Sequence, residues 1–113
     1  MKGMIWNSDG FGDTAKHLAV KEFVKENKLD FVAIIETGRS SFATPFLKFL
    51  ARDLDFVWYC LPPHGRSGGM LLGFNNDSLA VQDVVSGDVC VKLHLTTKLD
   101  GFRWTLVVVY GAA

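Results

Sequence analysis

The sequence predicts an α/β (α+β) fold, a layered sheet that opens with a βαβ unit and continues as antiparallel strands. Three observations carry this. A short strand-like segment, an amphipathic helical stretch and a run of five apolar residues follow one another between Gly3 and Glu36. Strict alternation of apolar and polar residues then marks Val89–Thr97, the pattern of a half-solvated antiparallel strand. The chain is also 49% hydrophobic and 21% charged, the composition of a chain that buries a core.

Gly3 to Asn7 reads as the first strand, stopped by the turn formers Ser8-Asp9-Gly10-Phe11-Gly12. Asp13 is placed to cap a helix over Thr14–Asn27. Ala15, Leu18, Ala19 and Phe23 recur there at helical spacing, with Lys16, Lys21, Glu22, Lys25 and Glu26 filling the other face. Phe31-Val32-Ala33-Ile34-Ile35 is unbroken apolar sequence, so this strand is expected to be covered on both faces. A right-handed βαβ crossover makes the first two strands parallel. Asn7 and Glu36, each at the C-terminal end of its strand, then share the rim where open α/β sheets bind ligands.

Thr44-Pro45 opens a second helix, cap residue then proline, running to about Arg52. Asp55–Leu61 is a strand ended by Pro62-Pro63, and His64-Gly65-Arg66-Ser67-Gly68-Gly69 is a loop. Met70–Phe74 and Leu79–Ser86 are strands joined across Asn75-Asn76-Asp77. In Val89–Thr97, Val89, Val91, Leu93 and Leu95 face one way. Asp100-Gly101 signals a hairpin into Phe102–Tyr110, whose Val107-Val108-Val109 run is expected to be covered on both faces. With Tyr110-Gly111-Ala112-Ala113 at the end of the sequence, that strand's free edge has nothing to pair with, and residues 1–113 are expected to form part of a larger domain.

At 113 residues the chain holds one domain at most. Twelve basic residues balance twelve acidic ones, which excludes a strongly cationic nucleic-acid module but not an enzyme that meets DNA at a local site. Cys60 and Cys90 show no CxxC spacing, which argues against zinc and against a disulfide scaffold. No apolar run approaches the roughly 20 residues of a membrane span, and the N-terminus has no signal-peptide pattern. An intracellular protein, cytoplasmic or nuclear, is expected.

Four short motifs fall at strand ends or before a strand: Trp6-Asn7, Glu36-Thr37, Gly65-Arg66-Ser67-Gly68-Gly69 and Val108-Val109-Tyr110-Gly111. Their order resembles the N-terminal half of the endonuclease/exonuclease/phosphatase superfamily, closest to the apurinic-type endonuclease domain of plant LINE-type retrotransposons. The resemblance covers the whole chain and implies half of a four-layered α/β sandwich, with residues 1–113 a truncated domain. It implies a Mg²⁺-dependent phosphodiesterase acting on DNA. Glu36 matches the carboxylate that holds the metal. Asn7 matches the amide that orients the metal, the phosphate or a catalytic side chain. Tyr110 resembles a tyrosine that contacts the scissile phosphate. A lone glutamate suits Mg²⁺, which keeps several waters and takes one or two protein carboxylates.

Two departures bear on this. Ser8-Asp9 stands where the retrotransposon motif has Cys-Arg, which leaves the first loop without its usual cation. The superfamily's Asp-x-Asn and Ser-Asp-His have no counterpart after Tyr110, so the general base is missing, and His17, His64 and His94 do not replace it by motif. The chain is expected to be inactive alone, with the missing C-terminal half as a partner. Plainer readings stand beside these. Asn7 can satisfy backbone groups at a strand end, Glu36 can be a solvated carboxylate, and Tyr110 can be a strand aromatic. Arg39 and Arg66 read as exposed loop arginines, Lys21, Lys25 and Lys28 as a wet helix face, and Trp6, Trp58 and Trp104 as sheet-face residues. Two other functions stay open: a degenerate, non-catalytic interaction module, and a phospholipid or inositol-phosphate phosphatase of the same superfamily.

Overall fold

A computed structural model describes residues 1–64 and 68–109. Tyr110 and Arg66 lie outside the described residues. The elements are β1 (Gly3–Asn7), α1 (Thr14–Asn27), β2 (Phe31–Ile35), α2 (Thr44–Leu50), β3 (Phe56–Leu61), β4 (Met70–Asn75), β5 (Leu79–Ser86), β6 (Cys90–Thr97) and β7 (Phe102–Val109). Four strands form one sheet in the order β1-β2-β4-β3, and three form a second in the order β5-β6-β7. β1 and β2 are parallel, with Asn7 level with Ile35. Every other pairing is antiparallel.

Side-chain alternation on β2 organises the layers. Val32 and Ile34 point to the helices, where they pack with Phe11, Val20, Val24, Leu29, Leu50 and Leu71. Ala33 and Ile35 point the other way, into a core shared with Met70, Leu72, Phe74, Leu79, Val91, Leu93, Leu95 and Val108. The strand is therefore covered on both faces, as its unbroken apolar run requires. The result is three layers: helices, four-stranded sheet, three-stranded sheet. The turn Asn75-Asn76-Asp77 joins β4 to β5 but does not pair them; it carries the chain from one sheet to the other.

Asp13 caps α1 as expected, its carboxylate accepting from Ala15 N–H at 2.8 Å. The buried face of that helix differs from the expected one. Val20 and Val24 are buried, whereas Leu18 and Phe23 are 44% and 47% exposed. Apolar residues lie nearly all round this helix, so spacing alone does not select a face. The sheet selects Val20 and Val24, while Phe23 and Ala19 line a groove beside Met4 and Trp6 at the free β1 edge. α2 begins after Ala43, without a side-chain cap, and Thr44 is its first residue.

Sheet two corrects two further expectations. Val108 is buried, but Val107 and Val109 are 46% and 62% exposed. The Val107–Val109 run is thus covered on one face only, because among the described residues no layer lies over the outer face of the second sheet. Val89 precedes β6 and is exposed rather than facing the core. The β6–β7 connection is a four-residue loop, since Thr97 pairs with Phe102, and Gly101 takes its left-handed position at φ 72°.

Gly73, in the middle of β4, makes room for a ring on the neighbouring strand. A Cβ there would sit 2.4 Å from Trp58 Cζ3. We expect Gly73→Ala to lower the unfolding free energy by roughly 1–3 kcal/mol through overpacking, read as a lower urea midpoint at unchanged m-value.

Candidate functional site

The parallel β1–β2 pair delivers two loops to one rim, and hydrogen bonds tie them together. Ser8 N–H donates to Ile35 O at 3.0 Å, Gly10 N–H to Glu36 O at 2.7 Å and Phe11 N–H to Thr37 O at 2.9 Å. Ser8 is buried, and its hydroxyl lies 3.1 Å from Ile35 O and 3.2 Å from Glu36 O. On the opposite side the start of β4 closes in. Thr37 N–H donates to Gly69 O at 3.2 Å and Gly38 N–H to Gly68 O at 2.7 Å.

This double attachment holds Glu36 at φ 55°, a left-handed conformation that costs a non-glycine residue roughly 1–2 kcal/mol. Residues held this way persist only where the surroundings over-determine them, and they concentrate at functional sites. The two glycines of the Ser67-Gly68-Gly69 motif explain how β4 comes so near. A Cβ on Gly68 would lie 3.2 Å from Glu36 Cα, and one on Gly69 would lie 2.8 Å from Thr37 Oγ1. Gly69 also sits at φ 92°, where a side chain is strained.

The backbone of Glu36 is thus fixed while its carboxylate is not engaged: among the described residues no hydrogen bond or ion pair involves it. Asn7, level with Ile35 on the same rim, is exposed. Its Oδ1 accepts from Asp9 N–H at 3.0 Å, which leaves Nδ2 as its outward donor. The rim therefore brings Asn7 and Glu36 together, as the βαβ reading requires. Tyr110, the third expected site residue, lies outside the described residues.

Three residues of this rim were not singled out from sequence. Ser8 and Thr37 are its buried polar residues, 2% and 1% exposed. Lys16 sends its ammonium back from α1 onto the first loop, 2.7 Å from Ser8 O and 3.0 Å from Gly10 O. That loop therefore has a cation, supplied from the helix rather than from the motif itself. The only sequence sign of this is a lysine half-way between a capping residue and a buried valine.

The described histidines are placed elsewhere or left unsupported. His17 is fixed by Phe11 O at 2.9 Å and packs edge-on against the rings of Phe11 and Phe46. His94 lies on the outer face of the second sheet beside Thr105. His64 is exposed in the β3–β4 loop, with no carboxylate among the described residues to orient it. Burial pushes the Cys60 thiol above its ordinary value, and its Sγ lies 3.4 Å from Ser40 O; a thiol held protonated is a poor nucleophile. Arg39 stacks over the Phe42 ring at 5.6 Å.

Among the described residues no three His, Cys, Asp or Glu side chains gather at one point. Among the described residues the strand-end donors at this rim are the Glu36 carboxylate and the Asn7 amide, with the exposed Asp9 on the adjoining loop. That set fits a hard cation that keeps most of its waters and does not fit a closed zinc site, which needs four protein ligands.

No family model matches the sequence, and no curated protein matches it. Solved structures do. A conserved protein of unknown function from Enterococcus faecalis V583 superposes with TM-score 0.63 at 10% identity, over 99% of this chain and 53% of that one. The AP endonuclease LMAP from Leishmania major gives 0.59 at 20% identity, over 96% and 39%. ANGEL2, a 2′,3′-cyclic phosphatase solved with adenosine-2′,3′-vanadate, gives 0.59 at 12% identity, over 93% and 39%. The fold is of the endonuclease/exonuclease/phosphatase type. At these identities the likeness is one of architecture, and this chain spans about half the length of the first of these proteins and 39% of the other two.

The left-handed backbone at Glu36 gives a direct test. Glu36→Gly is expected to be more stable than Glu36→Ala by about 1 kcal/mol, the reverse of their order inside a strand, as measured by urea denaturation. Ser8→Ala, which removes a buried hydroxyl contacting two carbonyls, is expected to cost about 1–2 kcal/mol in the same assay.

Proposed function

We propose that this chain is the N-terminal half of a Mg²⁺-dependent phosphodiesterase that cleaves DNA, and that it is inactive without a C-terminal half. The observation that carries the reading is Glu36: a carboxylate with no partner among the described residues, on a backbone held in a strained conformation from both sides, at the rim of a fold shared with an AP endonuclease and a cyclic phosphatase.

In this reading Glu36 holds the cation through its carboxylate, with water completing the shell. Mg²⁺, when bound, supplies charge stabilisation to the phosphoryl oxygens and the leaving oxygen. Asn7 offers its Nδ2 donor to a phosphate oxygen, its Oδ1 being occupied by Asp9. The buried Ser8 and Thr37 hold the backbone around Glu36, which fixes where its side chain leaves the rim. Tyr110 is assigned the phosphate contact that follows β7. Water must lose a proton as it attacks phosphorus. His17 is tied to Phe11, His94 lies on the far sheet and His64 has no orienting carboxylate among the described residues. The base is therefore assigned to a Ser-Asp-His segment of the other half, along with an Asp-x-Asn.

The exposed apolar surfaces support a partner of that kind. Ile5, Phe23, Val107 and Val109 are each between 46% and 62% exposed, at the free β1 edge and on the uncovered face of the second sheet, where further strands and helices would lie. The likeness to a cyclic phosphatase keeps a phosphatase as the second reading, with the same Glu36 and a different leaving group. A closely related plant retrotransposon endonuclease is the finer form of the first reading, resting on the sequence motifs alone.

Nicking of supercoiled plasmid in Mg²⁺ tests it. The chain alone is expected to leave the plasmid intact. A second chain carrying the Asp-x-Asn and Ser-Asp-His portion of the fold should restore nicking. Glu36→Ala should then return activity to background, and Asn7→Ala should lower it about a hundredfold. Restored nicking that survives Glu36→Ala overturns the assignment, and nicking by the chain alone overturns its dependence on a second half.

A further inference from the structure

We propose that Lys16 is a positioning residue of the Glu36 site, acting through three consecutive peptide units; the proposal rests on the metal-site reading above and extends it. The Lys16 ammonium lies 2.7 Å from Ser8 O, 3.5 Å from Asp9 O and 3.0 Å from Gly10 O. An ammonium has three N–H donors and accepts nothing, so three convergent carbonyls match it. Asp9 and Gly10 make the convergence possible, since both adopt positive φ, 50° and 95°.

The peptide units that offer these carbonyls have a second end. A trans peptide points its C=O and N–H in opposite directions. The unit that presents Ser8 O to Lys16 presents Asp9 N–H to Asn7 Oδ1, at 3.0 Å. The unit with Asp9 O presents Gly10 N–H to Glu36 O, at 2.7 Å, and the unit with Gly10 O presents Phe11 N–H to Thr37 O, at 2.9 Å. Lys16 thus grips three units by their oxygens, and the three N–H groups at the opposite ends hold Asn7, Glu36 and Thr37. A cation on a carbonyl polarises its peptide and strengthens the N–H bond on the far side. One side chain of α1 therefore fixes both the Asn7 amide and the Glu36 backbone without touching either side chain.

Among the described residues no carboxylate pairs with Lys16, and the groups it meets there are the three loop carbonyls. A structural lysine on a wet helix face would show none of these bonds. Lys21, one turn further on, provides the contrast: its ammonium sits 4.6 Å over the Phe49 ring, remote from the rim loop.

The test is Mn²⁺ affinity, measured by titration on the full chain, beside melting temperature and amide exchange. Lys16→Met is expected to weaken Mn²⁺ binding at least about tenfold, the usual effect of losing a supporting partner, and to speed exchange at Gly10 and Phe11. Lys16→Arg should restore most of the affinity. Lys21→Met should lower the melting temperature without changing affinity, which separates loss of a helix lysine from loss of the loop clamp. Where Lys16→Met does not fold, Lys16→Gln, a neutral donor of shorter reach, replaces it with the same expectation. Mn²⁺ affinity in Lys16→Met or Lys16→Gln equal to that of the wild type overturns the proposal. Failure of the wild-type chain to bind Mn²⁺ in a Glu36-dependent way is a different result: it removes the metal-site reading, and the positioning role falls with it.

Discussion

The backbone of residues 35–38 is the constraint from which the rest of this structure follows. It is the continuation of β2, a strand covered on both faces, and it emerges between the loop after β1 and the start of β4. Each neighbour hydrogen-bonds to it, with Glu36 at φ 55° between them. The left-handed turn at Glu36 lifts its side chain off the sheet while the flanking Ile35 and Thr37 stay buried. Stability and function pull in opposite directions at this residue: a glycine would relieve the backbone, and only an acidic side chain supplies the charge.

The same constraint explains the distribution of small and polar residues around the rim. Ser8 is buried because its hydroxyl and N–H both serve the β2 carbonyls. Gly68 and Gly69 lack side chains because any Cβ would press on Glu36 or Thr37. Phe11, fully buried, closes the loop from below and packs on His17, Phe42 and Phe46, which couples the rim to both helices. The rim is thus supported by the helix layer on one side and by β4 on the other. The inter-sheet core secures the second sheet and meets the rim at Ile35, whose side chain is buried in that core while its carbonyl accepts from Ser8.

Much of this was legible in the sequence. The five-residue apolar run fixed β2 as doubly covered, and a parallel βαβ unit then had to bring Asn7 and Glu36 to one rim. Asp13 as a cap and the alternation of β6 were equally plain. Where the sequence misled, the signal was degenerate. α1 carries apolar residues on too many faces for spacing to choose Val20 and Val24 over Leu18 and Phe23. Val107 and Val109 have the side chains of buried residues, and only the absence of a layer over them exposes them. The strain at Glu36 was not legible, since a left-handed position is signalled by glycine or asparagine and here it is accompanied by hydrogen bonds from residues 26 or more positions away. Lys16 was hidden for the same reason: on a helix rich in lysines, nothing local distinguishes the one that turns back onto the loop.

On the proposed reading, this rim, and not the scattered surface acids, is where the chain meets a divalent cation. Paramagnetic broadening by Mn²⁺ in a ¹H–¹⁵N spectrum tests it most directly, because it reads location and not only affinity. The expected result is broadening centred on Asn7, Ser8, Glu36 and Thr37 that disappears in Glu36→Gln. Broadening centred on Asp53, Asp77 or Asp88, unchanged by that substitution, would contradict it.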